Sequence, residues 1–292
     1  MISILTPTYN RAKTLSALFD SLMKQTCKSF EWIVIDDGST DDTRSLMRSL
    51  EEKADFPLKY IHKQNGGRHT AVNLGVQEAV FELSFPVDSD DTLAPDAVEQ
   101  ILDCYNKYKG NPKIGVYSFS RCDSRNNLEL ALPRPETVSD YIEFRIRGKR
   151  PGNMAEVFKT EVLRKYPFPT FENERFLSED VLWIEIAKEY DSVFLDKGIY
   201  VSEYLSDGLT ANDKNVKFGS PLGSMLRGKQ LMYSGCGLRE NLRGAIIYNC
   251  YRKEVKGALP ECLRVNNLGN MLLLLITRPL GSYYNRKWKR SV

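Results

Sequence analysis

Uncharged apolar runs and amphipathic stretches alternate along the first 120 residues. Residues 2–6 (ISILT) have the length of a buried strand, and Leu15, Leu18, Phe19, Leu22 and Met23 then recur at helical spacing to about residue 25. FEWIVI at 30–35 predicts a second strand. DDGSTDD at 36–42 predicts a polar turn leading into a helix capped by Asp41 or Asp42. Leu58 to His62 predicts a third strand, Gly66-Gly67 a turn, residues near 70–80 a helix, and Leu83 to Val87 a fourth strand. A helix at 95–108 and a strand at 114–120 follow. Strands joined by crossover helices in segments this short predict an α/β fold with a doubly wound, mostly parallel sheet, whose ligands sit at the carboxyl ends of the strands. Four polar segments follow those ends: Thr6 to Arg11, Asp36 to Ser39, Asn65 to Arg68, and Asp88 to Asp91. They are expected to converge on one crevice.

The pattern then loosens. Residues 121–175, with prolines at 133, 135, 151, 167 and 169, predict loops and mixed strands, before a helix from Glu179 to Tyr190. From about 220 onward the spacing predicts helices over 223–233, 240–255 and 263–277. The expected organisation is a first half at 1–120, a second at 121–219, and a helical C-terminal extension at 220–292, without internal repeats.

Composition narrows the class. Of the 292 residues 42% are hydrophobic and 27% charged, enough apolar material for a large core and too little bias for disorder. Six cysteines at 27, 104, 122, 236, 250 and 262 form no CxxC pair, and the strand pattern begins at Ile2 without a leader, which predicts reduced thiols in the cytoplasm. With His62 and His69 the only histidines, a His/Cys metal site has no material, so carboxylates would hold any metal. Charge is unevenly spread: residues 239–292 carry 11 Lys and Arg against 3 acids, whereas the preceding 238 carry 30 against 35.

The candidate chemistry lies in the turns. DSDD at 88–91 follows an apolar strand, and Asp88 and Asp90, two apart, can share a hard cation such as Mg²⁺ or Mn²⁺ with substrate phosphates. The plainer reading is a turn and helix cap, since Thr92 to Asp96 leads into a helix. Asp36 and Asp37 can accept from ring N–H groups or ribose hydroxyls, or can simply form an Asx turn. Arg68 and His69 follow a Gly-Gly turn at a helix start, where a cation and backbone N–H groups can face a diphosphate; a solvated turn is the alternative. There is no GxGxxG after the first strand and no GxxxxGK[ST] anywhere.

Taken in order, TPTYNR (6–11), DDGSTD (36–41), NGGRHTAVNLG (65–75), DSDD (88–91) and SED (178–180) resemble the family 2 glycosyltransferases of GT-A fold. The resemblance is most specific over 1–100, continues to about 212 through PFPTFENERFLSEDVLW and EYLSDGLTAN, and fades in the tail. It implies a nucleotide-sugar-binding sheet joined to an acceptor-binding half, with inverting transfer assisted by Mn²⁺ or Mg²⁺. By the same resemblance Thr6, Pro7 and Tyr9 would line the nucleoside pocket, Asp37 would contact a uracil-like base, and Asp36 would shape that turn. Arg68 would lie near base or diphosphate. Asp88 would hold ribose or cation-bound water, Asp90 would ligate the metal with Asp88, and Asp91 would be a further carboxylate of the motif. Asp180 matches the family's general base and Glu179 its companion.

Single displacement at a sugar carbon needs such a base and an electrophile for the departing diphosphate, and no nucleophilic residue. The chain lacks the QxxRW motif of processive members and any apolar run of 18 residues, so one sugar per acceptor encounter is expected. The tail offers two readings. NMLLLLIT (270–277) with Arg278, Tyr283, Tyr284, Arg286, Lys287, Trp288, Lys289 and Arg290 is either a segment lying on an anionic leaflet or a core-capping helix with a solvated basic end. Nucleic acid is not an expected partner, because no recognition motif accompanies the basic end and the body is acidic.

The expectation is therefore a cytoplasmic enzyme, peripheral on the inner face of the membrane. It would move one sugar from a UDP-linked donor to a carbohydrate or polyprenyl-linked acceptor, in bacterial surface-glycan synthesis. A nucleotidyltransferase is the rival enzyme, although TPTYNRAK lacks the glycines of its first loop. A non-catalytic, membrane-docked scaffold is the rival from another class.

Overall fold

The computed structural model describes residues 1–202 and 213–290; EYLSDGLTAN at 203–212 lies outside the described residues. The chain runs β1 (Ile2–Thr8), α1 (Ala12–Met23), β2 (Phe30–Asp36), α2 (Thr43–Glu51), β3 (Leu58–His62), α3 (Arg68–Glu78), β4 (Leu83–Pro86), β5 (Thr92–Leu93) and α4 (Ala97–Tyr108). It continues through β6 (Ile114–Cys122), β7 (Glu136–Ser139), a π-helical turn (Ile142–Arg147), β8 (Met154–Lys159), α5 (Thr160–Lys165), α6 (Asp180–Ile186) and β9 (Asp191–Val201). Helices α7 (Asp213–Phe218), α8 (Pro221–Tyr233), α9 (Leu238–Arg252) and α10 (Leu268–Lys289) form the tail.

Every residue of β1 and β2 is buried, as expected of parallel strands covered by helices on both faces. They pair in register from Ile2 opposite Phe30 to Thr8 opposite Asp36. The sheet order is β3-β2-β1-β4-β8-β6-β9-β5, with β7 also paired to β9. Six strands share one direction, and β5, β7 and β8 oppose them. The sheet is thus mixed and mostly parallel. From β1 the chain goes to β2 and β3 on one side and to β4 on the other, so the strand order reverses beside β1 and opens a crevice at the carboxyl ends.

Alternation along β1 splits the core into two layers. Ile4 lies in the layer of Leu15, Leu18, Trp32 and Ile101, whereas Leu5 lies in that of Ala71, Val72, Leu182 and Met225. The second layer extends without a break into Ala245 and Tyr248 of α9. The tail helices are therefore part of the core.

Four expectations are corrected. The first strand reaches Thr8, so Thr6 and Pro7 belong to the strand rather than to the turn. Thr92-Leu93 is a strand paired to β9, and helix α4 starts only at Ala97. The helix beginning at the SED motif ends at Ile186, and Ala187 to Tyr190 form the turn into β9. Strand β9 itself was not foreseen. Its apolar run is broken by Asp196-Lys197-Gly198, where the ladder slips between Leu195 and Gly198. Strand β8, inside the irregular stretch, is a central strand. The third tail helix begins at Leu268, capped by Asn267, whose side chain accepts from the Asn270 N–H at 3.0 Å. All six cysteines are free thiols.

Candidate functional site

The crevice is assembled from latched turns. Asp36 ends β2 fully buried; its Oδ1 accepts from the Ser39 N–H at 2.7 Å and its Oδ2 from the Tyr60 hydroxyl at 2.5 Å, which fixes the DDGS turn. Asp37 accepts from Lys63 Nζ at 2.5 Å and from the Gly66 and Gly67 N–H groups at 2.9 and 2.7 Å. Both of its oxygens therefore hold the Asn65–Gly67 loop. Gly67 has φ of +93°, and a Cβ there would lie 2.0 Å from the carbonyl oxygen of Arg175, so only glycine fits where this loop meets the segment before SED. The first turn is tied to the second. The Asn10 N–H donates to Ser39 Oγ at 2.9 Å, and Asn10 Oδ1 accepts from the Thr40 N–H at 2.8 Å.

The three residues expected around a nucleoside are separated. Thr6 points into the core, where its Oγ1 accepts from Trp32 Nε1 at 2.9 Å, and Pro7 is buried. Tyr9 is 47% exposed at the mouth. Thr8, the last residue of β1, keeps a buried Oγ1 without a partner among the described residues. His69 is buried in α3, and burial pushes its imidazole down to about 4, so it is neutral at pH 7.

The acidic cluster is drawn together with cations from distant elements. Asp88 Oδ1 accepts from Arg68 Nε at 2.7 Å, and its Oδ2 lies 4.0 Å from Arg121 Nη2. Arg121 also reaches Asp91 at 3.6 Å and stacks on the Tyr200 ring at 4.1 Å, while the Asp88 N–H donates to the Tyr200 hydroxyl oxygen at 2.9 Å. Asp90 faces Arg11 Nε at 3.9 Å. Burial works against the Asp88 carboxylate, but the Arg68 and Arg121 guanidinium groups outweigh it and hold it below the ordinary range. Burial and then the Asp88 charge push Asp90 up, and they push Asp91 up to about 7.

These carboxylates also decide whether a cation fits. Among the described residues no three His, Cys, Asp or Glu side chains form a closed metal cage. Mg²⁺ and Mn²⁺ are commonly held by one or two carboxylates and completed by substrate phosphates. Asp88 is turned to two arginines, whereas the ion pair of Asp90 among the described residues is the long one to Arg11, and Asp90 is unsettled by the Asp88 charge, which a cation would relieve. The donor set thus fits a cation held chiefly by Asp90 together with a diphosphate.

The SED segment closes the site. Arg68 Nη1 forms an ion pair with Glu179 Oε1, so one guanidinium touches the end of β4 and the start of α6. Asp180 accepts from Ser178 Oγ at 2.5 Å and from Arg227 Nε at 3.0 Å on Oδ1 and 2.7 Å on Oδ2. Arg227 comes from α8, whose N-terminus is held by Glu174, with Oε1 accepting from the Leu222 N–H at 2.6 Å and Oε2 from the Gly223 N–H at 2.8 Å. Arg121, Tyr200, Arg227 and Glu156 were not foreseen; none lies in a polar turn after a strand or in a motif of the family resemblance. Burial pushes the Glu156 carboxyl up to about 8, with Glu179 adding to it against Arg145 and Arg121. A cavity of about 790 Å³ runs between α6, α8 and the 262–267 segment, lined among others by Val181, Leu182, Leu226, Lys229, Arg264 and Asn267.

Known proteins agree with this architecture. Residues 3–166, more than half of the chain, match Glycosyl transferase family 2. The GalNAc(5)-diNAcBac-PP-undecaprenol β-1,3-glucosyltransferase of Campylobacter jejuni is 29% identical over 233 residues, covering 75% of this chain and 71% of that protein. An uncharacterized glycosyltransferase of Rickettsia conorii is 41% identical over 98 residues, 34% of this chain, and the chain spans only 16% of its length. Among solved structures, S. aureus TarS 1–349 in complex with UDP-GlcNAc superposes with a TM-score of 0.62 at 18% identity, over 87% of this chain and 72% of that one. The mannosyltransferase PcManGT of Pyrobaculum calidifontis, in complex with GDP-Man and Mn²⁺, superposes with a TM-score of 0.58 at 18% identity, over 98% and 82%. The match over residues 3–166, which hold the motifs from TPTYNR to DSDD, together with the sheet order and the solved structures of the same fold, makes this chain a member of glycosyl transferase family 2 with the GT-A fold.

Proposed function

We propose that this chain transfers a single sugar, with inversion, from a UDP-linked donor to a hydroxyl of a carbohydrate or polyprenyl-linked acceptor, in bacterial surface-glycan synthesis. The observation that carries the reading is the Arg68 guanidinium bound to both Asp88 and Glu179, which fastens the carboxyl end of β4 to the start of α6. A donor held at the first and an acceptor met at the second would stand within reach of each other. TarS, in complex with UDP-GlcNAc, supports the UDP-linked donor, PcManGT, with GDP-Man and Mn²⁺, supports a sugar nucleotide and a divalent cation, and the Campylobacter relative supports a lipid-linked acceptor.

In this reading residues 1–120 bind the donor, 121–219 bind the acceptor and 220–292 support both. Thr6, Pro7, Tyr9, Asp36 and Asp37 build the nucleoside end of the crevice, Thr6, Asp36 and Asp37 by holding its walls. Arg68 faces the diphosphate and offsets the charge that develops as it leaves. Asp90, with Asp88 and Asp91 beside it, holds Mn²⁺ or Mg²⁺, which when bound supplies electrophilic stabilisation to the same oxygens. Asp180 takes the proton of the acceptor hydroxyl. Its Oδ2 keeps acceptor capacity beyond the Arg227 contact, and Arg227 holds the carboxylate in place.

Asp180→Asn tests the assignment. UDP affinity by calorimetry should stay near wild type while turnover drops by roughly 10²–10⁴. Loss of UDP affinity instead makes Asp180 a structural residue and overturns its role.

A further inference from the structure

Helix α10 buries its polar residues and exposes its apolar ones. Toward α9 it turns Asn270, Thr277, Gly281 and Asn285, all buried, beside half-buried Leu273, Leu274, Tyr284 and Trp288. The contact is fixed by polar bonds. Asn249 Nδ2 donates to the Leu274 carbonyl at 2.8 Å and to Thr277 Oγ1 at 3.0 Å, and Asn285 Nδ2 donates to the Cys250 carbonyl at 2.9 Å and to Glu254 Oε1 at 2.7 Å. Outward stand Leu268 (83% exposed), Met271, Leu272 (57%), Leu275 (66%), Ile276 (62%) and Leu280, at spacings of three and four that make one stripe. Tyr283, 52% exposed, ends it. At a rise of 1.5 Å per residue the stripe is about 22 Å long, and six such side chains make a patch at or beyond the roughly 300–600 Å² of a soluble monomer's largest.

We propose that this face of α10 docks on the surface of an anionic lipid bilayer. Beyond Tyr283 the same side of the helix carries exposed Arg286, Lys287 and Arg290, and Arg278 lies exposed along the stripe; α10 contains no acidic residue. Apolar side chains followed by an aromatic ring and then cations match the depth profile of a bilayer surface, from acyl chains to phosphate headgroups. No helix among the described residues is long and apolar enough to cross a membrane, so the fitting geometry is a helix lying in the interface plane. A second copy fits poorly. Parallel pairing of two such faces sets cation against cation, and antiparallel pairing sets the cations of each on the leucines of the other. The stripe also begins where the cavity ends, since Asn266 and Asn267 line the cavity and Leu268 follows them. That neighbourhood suits a lipid-carried acceptor, although docking itself does not depend on the reading of the active site.

The test is flotation of the full chain with vesicles of phosphatidylcholine alone or with 30% phosphatidylglycerol. Binding should require the anionic lipid and weaken at high salt. It should drop by about tenfold or more in Leu272→Ser/Ile276→Ser and in Arg286→Gln/Lys287→Gln, all exposed positions whose UDP affinity should match wild type. Retained UDP affinity shows that the variants are folded and keeps a failure of docking separate from a failure of the catalytic reading. Absence of binding to the anionic vesicles, or wild-type binding by either variant, overturns the proposal. So does a dimer in light scattering that Leu272→Ser/Ile276→Ser dissolves while vesicles stay unbound.

Discussion

Asp88 is the pivot of the charges in the crevice. Facing Arg68 and Arg121 it stays ionised, and its charge adds to burial in raising Asp90 and Asp91. A diphosphate and its cation entering together would supply counter-charges to both kinds of group, the anion to the arginines and the cation to the acids. Glu156, half-buried on β8 and accepting from Ser118 Oγ at 3.4 Å, is the most displaced acid away from that motif. Unfolded it ionises near 4.5, folded near 8; between those values only the unfolded state has released the proton, so stability falls as pH rises. Glu156→Gln removes that slope. Its melting temperature relative to wild type should climb from pH 5 to pH 8, and a difference that stays constant across the range would contradict the raised carboxyl. Asp36, Asp37 and Asp88 to Asp91 were legible because they follow apolar strands in polar turns, and Glu179 and Asp180 through the resemblance of SED to the family motif. Tyr200 and Arg227 were not, because they meet Asp88 and Asp180 across 112 and 47 residues of chain, through pairings that no local pattern encodes.

Helix α8 shows how an element can be placed by one side chain. Glu174 satisfies two N–H groups of its first turn, and the same helix delivers Arg227 to Asp180. At Gly228 and Gly244, where a Cβ would come within 2.7 and 2.5 Å of the opposite carbonyl oxygen, α8 and α9 touch backbone to backbone. Glu174→Ala leaves those N–H groups unpaired at a cost of about 1–2 kcal/mol. At roughly 2–4 °C per kcal/mol the melting temperature should drop measurably, and turnover should fall with UDP affinity preserved. An unchanged melting temperature would contradict the capping role. Apart from β5, which was expected as a helix start, the strands and helices of residues 1–120 were legible almost to their ends, since most are apolar or amphipathic blocks. Strand β8 was hidden because Glu156 and Lys159 interrupt MAEVFK, and β9 because its bulge puts Asp196 and Lys197 mid-strand. Both are read correctly only once their partners in the sheet are known, which is tertiary information.

At the scale of the molecule, the tail packs into the core layer of Leu5 and Ala71, and Arg68 bridges the crevice where the strand order reverses to the start of α6. Strands β8 and β9, from the second expected half, complete the sheet begun in the first. The central claim is that the cleft binds UDP with a divalent cation held by Asp90. The most direct measurement is calorimetric titration and thermal shift with UDP, GDP, CMP, dTDP and ADP, each with and without Mn²⁺, on wild type and Asp90→Asn. The account predicts Mn²⁺-dependent stabilisation by UDP, of about 4 kcal/mol for a micromolar binder at millimolar concentration, absent in Asp90→Asn. Indifference to every nucleotide, or UDP binding that Asp90→Asn leaves unchanged, would contradict it.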